Sequence, residues 1–211
     1  PSLHPDDPGA GLGARLDRMA DHLARTPLGV LPAPTFFATP DAAPSLPQWL
    51  DGVRIAVARD AAFAFIYPAN LECLVALGAE PCFFSPLAGD ALPECDAIWL
   101  PGGYPELHAA ALSLHADMSA SLHAHANSGK PLLAECGGMM ALFETLIDQQ
   151  GQSHAMTGLL PGSASMQQRL AALGPQLADL PEGPLRGHTF HYSRADTPLP
   201  PLLHARRHRG K

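Results

Sequence analysis

The sequence has little charge and few aromatic residues, and it lacks the marks of several protein classes. Of its 211 residues 16% are charged and 6% are aromatic, with a formal net charge of −7. This balance disfavours nucleic acid or an anionic membrane as the main partner, and we interpret the basic run at 206–211 as a solvated tail. We find neither an apolar run of roughly 20 residues, as a bilayer requires, nor a secretory leader.

Cysteine is scarce, and its spacing fits neither a metal site nor a disulfide framework. The four cysteines (Cys73, Cys82, Cys95 and Cys136) include no C-x-x-C pair. We therefore expect no metal ion and a soluble protein in the reducing cytoplasm. The chain begins at Pro1 without a methionine, so we expect it to be a fragment of a longer protein.

The character of the sequence changes at about residue 50. The first part contains an amphipathic pattern over Leu16–Leu23, which predicts one short helix, and then six prolines from Pro27 to Pro47. Proline fixes φ and removes a backbone donor, so this second stretch is typical of a linker. We accordingly separate residues 1–50 from a folded domain at 51–211.

The second part alternates short apolar runs with helical patterns. Predicted strands cover 54–58, 81–84, 97–100, 132–135 and 185–193, and predicted helices cover 68–77, 105–126 and 137–146. Strands this short and apolar, alternating with helices, indicate an α/β fold with a mostly parallel sheet and helices on both faces.

A cysteine stands at one strand–helix junction, within Glu135-Cys136-Gly137-Gly138. Parallel sheets carry their chemistry at the carboxyl ends of their strands, and this turn resembles a nucleophile elbow. Glycine permits the tight turn, and a helix N-terminus favours the thiolate form. We expect the Gly137 N–H to hold an oxyanion, with a second N–H from the Gly102-Gly103 turn.

Most cysteines simply pack as small hydrophobic residues. Cys73 lies in a predicted helix, Cys82 in a predicted strand and Cys95 in a loop, so these three keep the structural interpretation. Only the position of Cys136 favours a nucleophile.

Seven segments occur along the chain in a characteristic order. They are RIAVARD (54–60), FIYPANL (65–71), FFSPL (83–87), GGYPELH (102–108), AECGGM (134–139), GLLPG (158–162) and RGHTFHYS (186–193). Together they resemble the C-terminal glutamine amidotransferase domain of the cobyrinic acid a,c-diamide synthase family, including its hydrogenobyrinic acid members. The resemblance implies a class I glutamine amidotransferase-like, flavodoxin-like fold. It also implies that Cys136 forms a glutamyl thioester, with Gly102, Gly103 and Gly137 as the oxyanion hole.

The same resemblance implies a second domain, which receives the ammonia. That synthetase domain would use ATP and Mg²⁺ to amidate the a and c carboxylates of the corrinoid in cobalamin biosynthesis. No G-x-x-x-x-G-K-[ST] loop occurs here, so we expect ATP and Mg²⁺ to bind outside this chain, which itself needs no cofactor. Residues 1–50 are then the trailing end of the synthetase domain plus a linker.

The proton acceptor is the open question of the sequence. A thiol nucleophile needs a base, and RGHTFHYS offers His188 and His191. In the family that this chain resembles, the catalytic histidine lies on a later strand, in an S-Y-L-H-L-H-like segment that is not found here. We therefore expect a C-terminal truncation and keep His191 as either the base or a pocket residue. His204 and His208, in the Pro/Arg-rich tail, are poorer candidates.

Three hypotheses follow for the function. The first is glutamine hydrolysis through a Cys136 thioester, and the second is a catalytically inactive amidotransferase-like module that docks on the synthetase domain. The third is a cysteine-dependent peptidase-like hydrolase with the same elbow. The segments GGYPELH and RGHTFHYS count against this third hypothesis.

Overall fold

The computed structural model describes residues 11–30, 32–37 and 45–207, which fall into two units. The first unit, Pro1–Ser45, contains helix α1 (Leu12–Ala24) and a 3-10 turn at Pro27–Gly29. The predicted amphipathic helix is thus confirmed. Residues 31 and 38–44 of the predicted linker lie outside the described part, and the assignment of residues 1–50 to a neighbouring domain stays a prediction.

The second unit, Leu46–Lys211, contains the sheets and the candidate site. Its helices are α2 (Pro68–Ala76), α3 (Ala109–Leu112), α4 (Ala116–Asn127) and α5 (Gly137–Met140), with a 3-10 turn at Pro105–Leu107. Its strands are β1 (Arg54–Ala58), β2 (Glu80–Phe84), β3 (Ala97–Leu100), β4 (Leu132–Ala134), β5 (Phe143–Ile147), β6 (Ser153–Ala155), β7 (Leu160–Met166), β8 (Ala172–Leu180), β9 (Gly183–His191), β10 (Ser193–Asp196) and β11 (Arg206–Arg207).

The first four strands form a parallel sheet in the order β2-β1-β3-β4. Successive residues of β1 point to opposite faces, so Ala56 joins the core under Met118 of α4, whereas Val57 packs with Leu71 of α2 on the other face. Helices therefore cover both faces, which confirms the predicted architecture. This strand order is that of the flavodoxin-like folds.

Two further sheets follow the parallel one in sequence. The order β10-β7-β5-β6 is mixed, because β5 pairs parallel with β7 and antiparallel with β6. The third sheet, β11-β8-β9, is built on a long antiparallel hairpin whose register runs from Ala172 opposite His191 to Leu180 opposite Gly183. The predicted strand at 185–193 follows β9 as far as His191, but it is interrupted at Tyr192, and Ser193 begins β10 in the mixed sheet.

The single helix predicted for 105–126 is wrong, because the segment is broken into the 3-10 turn, α3 and α4. His115 has non-helical backbone angles at the start of α4. Its Nε2–H donates to the carbonyl of Leu87 at 3.0 Å, which fixes the break. A tertiary hydrogen bond thus ends a helix that local propensity would continue.

The helix predicted from Gly137 through Leu146 is also wrong beyond Met140. Phe143–Ile147 forms β5, in which Leu146 is fully buried between its partners His154 and Ala164. The spacing of Leu142 and Leu146 suits either structure, and strand pairing decides between them.

The basic tail is partly structured. Arg206 and Arg207 are exposed, as expected of a solvated segment, but they pair with β8 as a short strand. Arg206 also contacts the carboxylate of Asp179 at 3.2 Å. Residues 208–211, including His208, lie outside the described part.

Candidate active site

Cys136 lies in a sharp turn between β4 and α5, with φ 51° and ψ −117°. Among the described residues it is the only one other than glycine that has a positive φ. That conformation is strained and is characteristic of nucleophile elbows. The turn also brings the backbone of Gly138 against β3, where an added Cβ would lie 2.1 Å from the carbonyl oxygen of Leu100.

The backbone N–H groups of Gly137 and Gly103 lie near enough to the Cys136 sulfur to favour its ionised form and lower its pKa. Gly102 lies against the Cβ of the same side chain. An added Cβ on it would lie 3.2 Å from the Cβ of Cys136, and its carbonyl accepts the N–H of Phe65 at 2.9 Å. The structure therefore brings all three predicted glycines to the cysteine, with amides from Gly103 and Gly137 in place to hold an oxyanion. Their catalytic role stays a prediction.

The Gly103 turn is held by the loop after β1, which sequence reasoning did not single out. An added Cβ on Gly103 would lie 2.0 Å from the carbonyl oxygen of Ala62, and that oxygen accepts the N–H of Tyr104 at 2.9 Å. Asp60 shapes this loop by accepting the N–H groups of Ala62 and Phe63 at 2.8 and 3.1 Å. An aspartate directly after a buried parallel strand was the available signal.

Burial raises the pKa of the Cys136 thiol, even though the residue is exposed towards a cavity. The N–H groups of Gly137 and Gly103 oppose this effect, whereas the carboxylates of Glu106 and Glu135 add to it. Helix α5 has only four residues, so its dipole is small. Burial of the thiol thus opposes the thiolate form that the helix N-terminus is expected to favour, and activation of Cys136 by this terminus stays a prediction.

A cavity of about 660 Å³ opens above Cys136. Its size suits a small molecule, and it joins the elbow to strands β9 and β10. Besides Cys136, the ionisable side chains on its walls are Tyr67, Glu135, His188, His191 and Arg194. The nucleophile thus shares the cavity with apolar side chains, one carboxylate and one guanidinium group.

The predicted His191 lies in this cavity, and His188 lies there too. The Nδ1–H of His191 donates to the carbonyl of Ser193 at 2.9 Å, which leaves Nε2 as the proton-accepting nitrogen. Among the described residues, no histidine hydrogen-bonds to the sulfur of Cys136. The structure brings His191 to the pocket, and its role as base stays a prediction.

Two glutamates near the nucleophile were missed by sequence reasoning. Glu135, beside Cys136, accepts the indole N–H of the buried Trp99 at 2.9 Å. Glu106 is buried in the turn after Gly103, and this burial raises its pKa. Its place within the GGYPELH segment was the only sequence signal.

The other three cysteines lie away from the elbow. Cys95 is buried, with its sulfur 3.8 Å from Nδ1 of His125, and Cys82 is partly buried in β2, as a structural role requires. Cys73 is exposed on α2, so it does not pack as a core residue. In the part of the chain that the structure describes, no cluster of three or more His, Cys, Asp or Glu side chains could hold a metal ion. No helix in that part could cross a membrane.

The chain is similar in sequence to two a,c-diamide synthases. The chain is 56% identical over 193 residues to the hydrogenobyrinate a,c-diamide synthase of Stutzerimonas stutzeri (strain A1501), covering 92% of this chain and 45% of that protein. It is 53% identical over 161 residues to the cobyrinate a,c-diamide synthase of Herminiimonas arsenicoxydans, covering 76% and 37%. The chain thus spans less than half the length of these relatives.

A solved structure of a glutamine amidotransferase superposes with a TM-score of 0.48 at 17% identity, over 66% of this chain and 71% of that one. The CobB/CobQ-like glutamine amidotransferase domain matches residues 54–210, which include the elbow, the Gly102-Gly103 turn and the strand with His191. This chain therefore belongs to the CobB/CobQ-like glutamine amidotransferase domain family.

Proposed function

We propose that this chain hydrolyses the side-chain amide of glutamine at Cys136. The observation that carries the proposal is the strained backbone of Cys136 in the wall of the cavity, with the N–H groups of Gly103 and Gly137 near its sulfur. We further propose that the ammonia serves a synthetase domain, which amidates the a and c carboxylates of hydrogenobyrinic or cobyrinic acid with ATP and Mg²⁺. The two relatives described above support this acceptor.

The reaction begins with transfer of the Cys136 thiol proton to a base. The sulfur then attacks the amide carbon of glutamine, and the N–H groups of Gly103 and Gly137 hold the oxygen as it becomes negative. The protonated base gives its proton to the leaving nitrogen, so ammonia departs and a glutamyl thioester remains. Water, deprotonated by the same base, cleaves the thioester to glutamate and restores the thiol.

The base is proposed to be His191 or a histidine outside this chain. His191 offers an unprotonated Nε2 in the same cavity as the nucleophile. A His191→Gln variant of the longer protein that carries both domains separates the two sources. If the base lies outside this chain it is still present there, and the substitution then changes only the binding of glutamine. Loss of kcat by about a hundredfold or more would assign the base to His191, whereas a changed KM with unchanged kcat would assign it to pocket lining.

Glutamate release by the chain and by its Cys136→Ala variant tests the first step. We expect the substitution to abolish glutamate release, while Cys73→Ala, which removes an exposed cysteine on α2, leaves the rate unchanged. Mass spectrometry after acid quenching should also detect a glutamyl adduct on the peptide that contains Cys136. A glutaminase rate that survives Cys136→Ala would remove this cysteine from the mechanism.

The coupling to amidation is tested in the longer protein that carries both domains. With Cys136→Ala, we expect corrinoid amidation to be lost with glutamine as nitrogen donor and kept with ammonium chloride. Loss with both donors would show that the substitution damages more than ammonia supply.

A second candidate function is a catalytically inactive module that docks on the synthetase domain. One observation favours it: in the described residues no histidine hydrogen-bonds to Cys136, whose thiol pKa is raised. If the two-domain protein amidates only with ammonium, and its Cys136→Ala variant behaves identically, this second function replaces the first.

A further inference from the structure

The side chain of Glu135 is held in a defined orientation beside the nucleophile. Its Oε1 accepts the indole N–H of Trp99 at 2.9 Å, and Trp99 is buried in the core between β1 and α2. A buried indole N–H needs a partner, so this bond anchors the carboxylate from below. Glu135 also lines the cavity that contains Cys136.

In the absence of substrate, the carboxylate of Glu135 disfavours ionisation of the Cys136 thiol. Glu135 is one of two carboxylates that raise the pKa of the Cys136 thiol, the other being the buried Glu106. A negative charge beside a group that must become a thiolate opposes its ionisation. A cation bound at Glu135 would cancel that opposition, so the arrangement suits a substrate that brings its own positive charge.

We propose that Glu135, oriented by Trp99, binds the α-ammonium group of the amino-acid substrate and so selects substrates that carry one. The inference rests on the proposed glutamine hydrolysis. It names the residue that recognises the α-ammonium group of glutamine, at the opposite end of the molecule from the amide that is cleaved. Binding places the ammonium next to the nucleophile, where it offsets the charge of Glu135 and eases thiolate formation once substrate has entered.

The other charged groups around the cavity are compatible with this assignment. His188 and Arg194 lie on the wall formed by β9 and β10, and their donors suit a carboxylate. Tyr67 lines the cavity as well. Glu135 is the one carboxylate on the described cavity wall, and the buried Glu106 is absent from that wall. An α-ammonium group therefore has one anionic partner there.

The test measures how ligands protect Cys136 from iodoacetamide, with the Cys136 peptide followed by mass spectrometry. The two ligands are glutamine and 5-amino-5-oxopentanoate, which is glutamine without its α-amino group. For Glu135→Gln we expect the half-protecting glutamine concentration to rise about tenfold or more, as for loss of a charge-assisted hydrogen bond. The concentration for the deaminated compound should stay unchanged.

Two further variants complete the design. Trp99→Phe keeps an aromatic ring in the core but removes the N–H, so glutamine protection should weaken by less than in Glu135→Gln. Glu72→Gln removes an exposed carboxylate on α2 and should match the wild-type protein for both ligands.

The outcomes separate the two proposals. Equal weakening of both ligands by Glu135→Gln, or weakening of neither, overturns the α-ammonium assignment while leaving glutamine hydrolysis in place. Failure of glutamine to protect the wild-type protein overturns both proposals together.

Discussion

The backbone of Gly138 faces the carbonyl oxygen of Leu100 so closely that an added Cβ would lie 2.1 Å from it. This contact between the turn after Cys136 and strand β3 leaves no space for a side chain. It ties the geometry of the nucleophile to the parallel sheet.

A Gly138→Ala substitution should therefore force the backbone of the elbow to move. We expect a loss of about 1–3 kcal/mol or more in the free energy of unfolding, since overpacking forces backbone shifts. Urea denaturation measures the loss. Gly187→Ala, where nothing lies within 4 Å of an added Cβ, is the matched control and should change stability much less. Equal effects at both positions would contradict the close contact.

Replacing Leu146 tests the strand that local patterning misassigned. Leu146 is fully buried in β5, so Leu146→Ala should cost about 2–5 kcal/mol through lost burial and a residual cavity. Leu133→Ala in β4 removes a side chain that is 61% exposed and should cost far less. Chemical denaturation of the two variants gives the comparison, and a mild effect at Leu146 would contradict its burial.

The pH dependence of Cys136 alkylation tests the electrostatics of the elbow. Because burial raises the pKa of this thiol, the iodoacetamide rate should reach half its maximum at a higher pH than for the same cysteine in the urea-unfolded chain. Glu106→Gln removes one of the two carboxylates that raise this pKa and should lower the midpoint. A folded-state midpoint below the unfolded one would show a stabilised thiolate and contradict this account.

Acid stability should depend on Asp148. The hydrogen bond from His154, at 2.9 Å, is the main cause that lowers the pKa of Asp148, with further help from the N–H groups of Gln152 and Gln150. A lowered folded-state pKa contributes stability above the unfolded value of about 3.9, and that contribution disappears as pH falls through the folded value.

Urea midpoints between pH 7 and pH 3 measure this effect. The wild-type protein should lose stability on acidification more steeply than Asp148→Asn, so that the gap between them narrows below about pH 4. Asp179→Asn, which changes an exposed carboxylate on β8, should leave the slope nearly unchanged. A constant gap across this range would contradict the lowered pKa.

Much of the parallel sheet could be predicted from local sequence. The apolar runs at 54–58 and 97–100 match β1 and β3 because a strand buried on both faces is apolar throughout. Pro68 and Gly78 likewise bracket α2, since proline suits a first turn and glycine a positive φ. The failures, at 113–115 and 141–147, occur where one distant hydrogen bond or strand pairing overrides propensity.

The position of Cys136, between an apolar strand and two glycines, was determined by the sequence itself, because a tight strand-to-helix turn requires that residue pattern. Only the tertiary structure decided its surroundings. The approach of Gly103, the anchoring of Glu135 by Trp99 and the place of His191 in the cavity join segments far apart in the chain. Local patterns carry no information on such contacts, since packing of the sheets creates them.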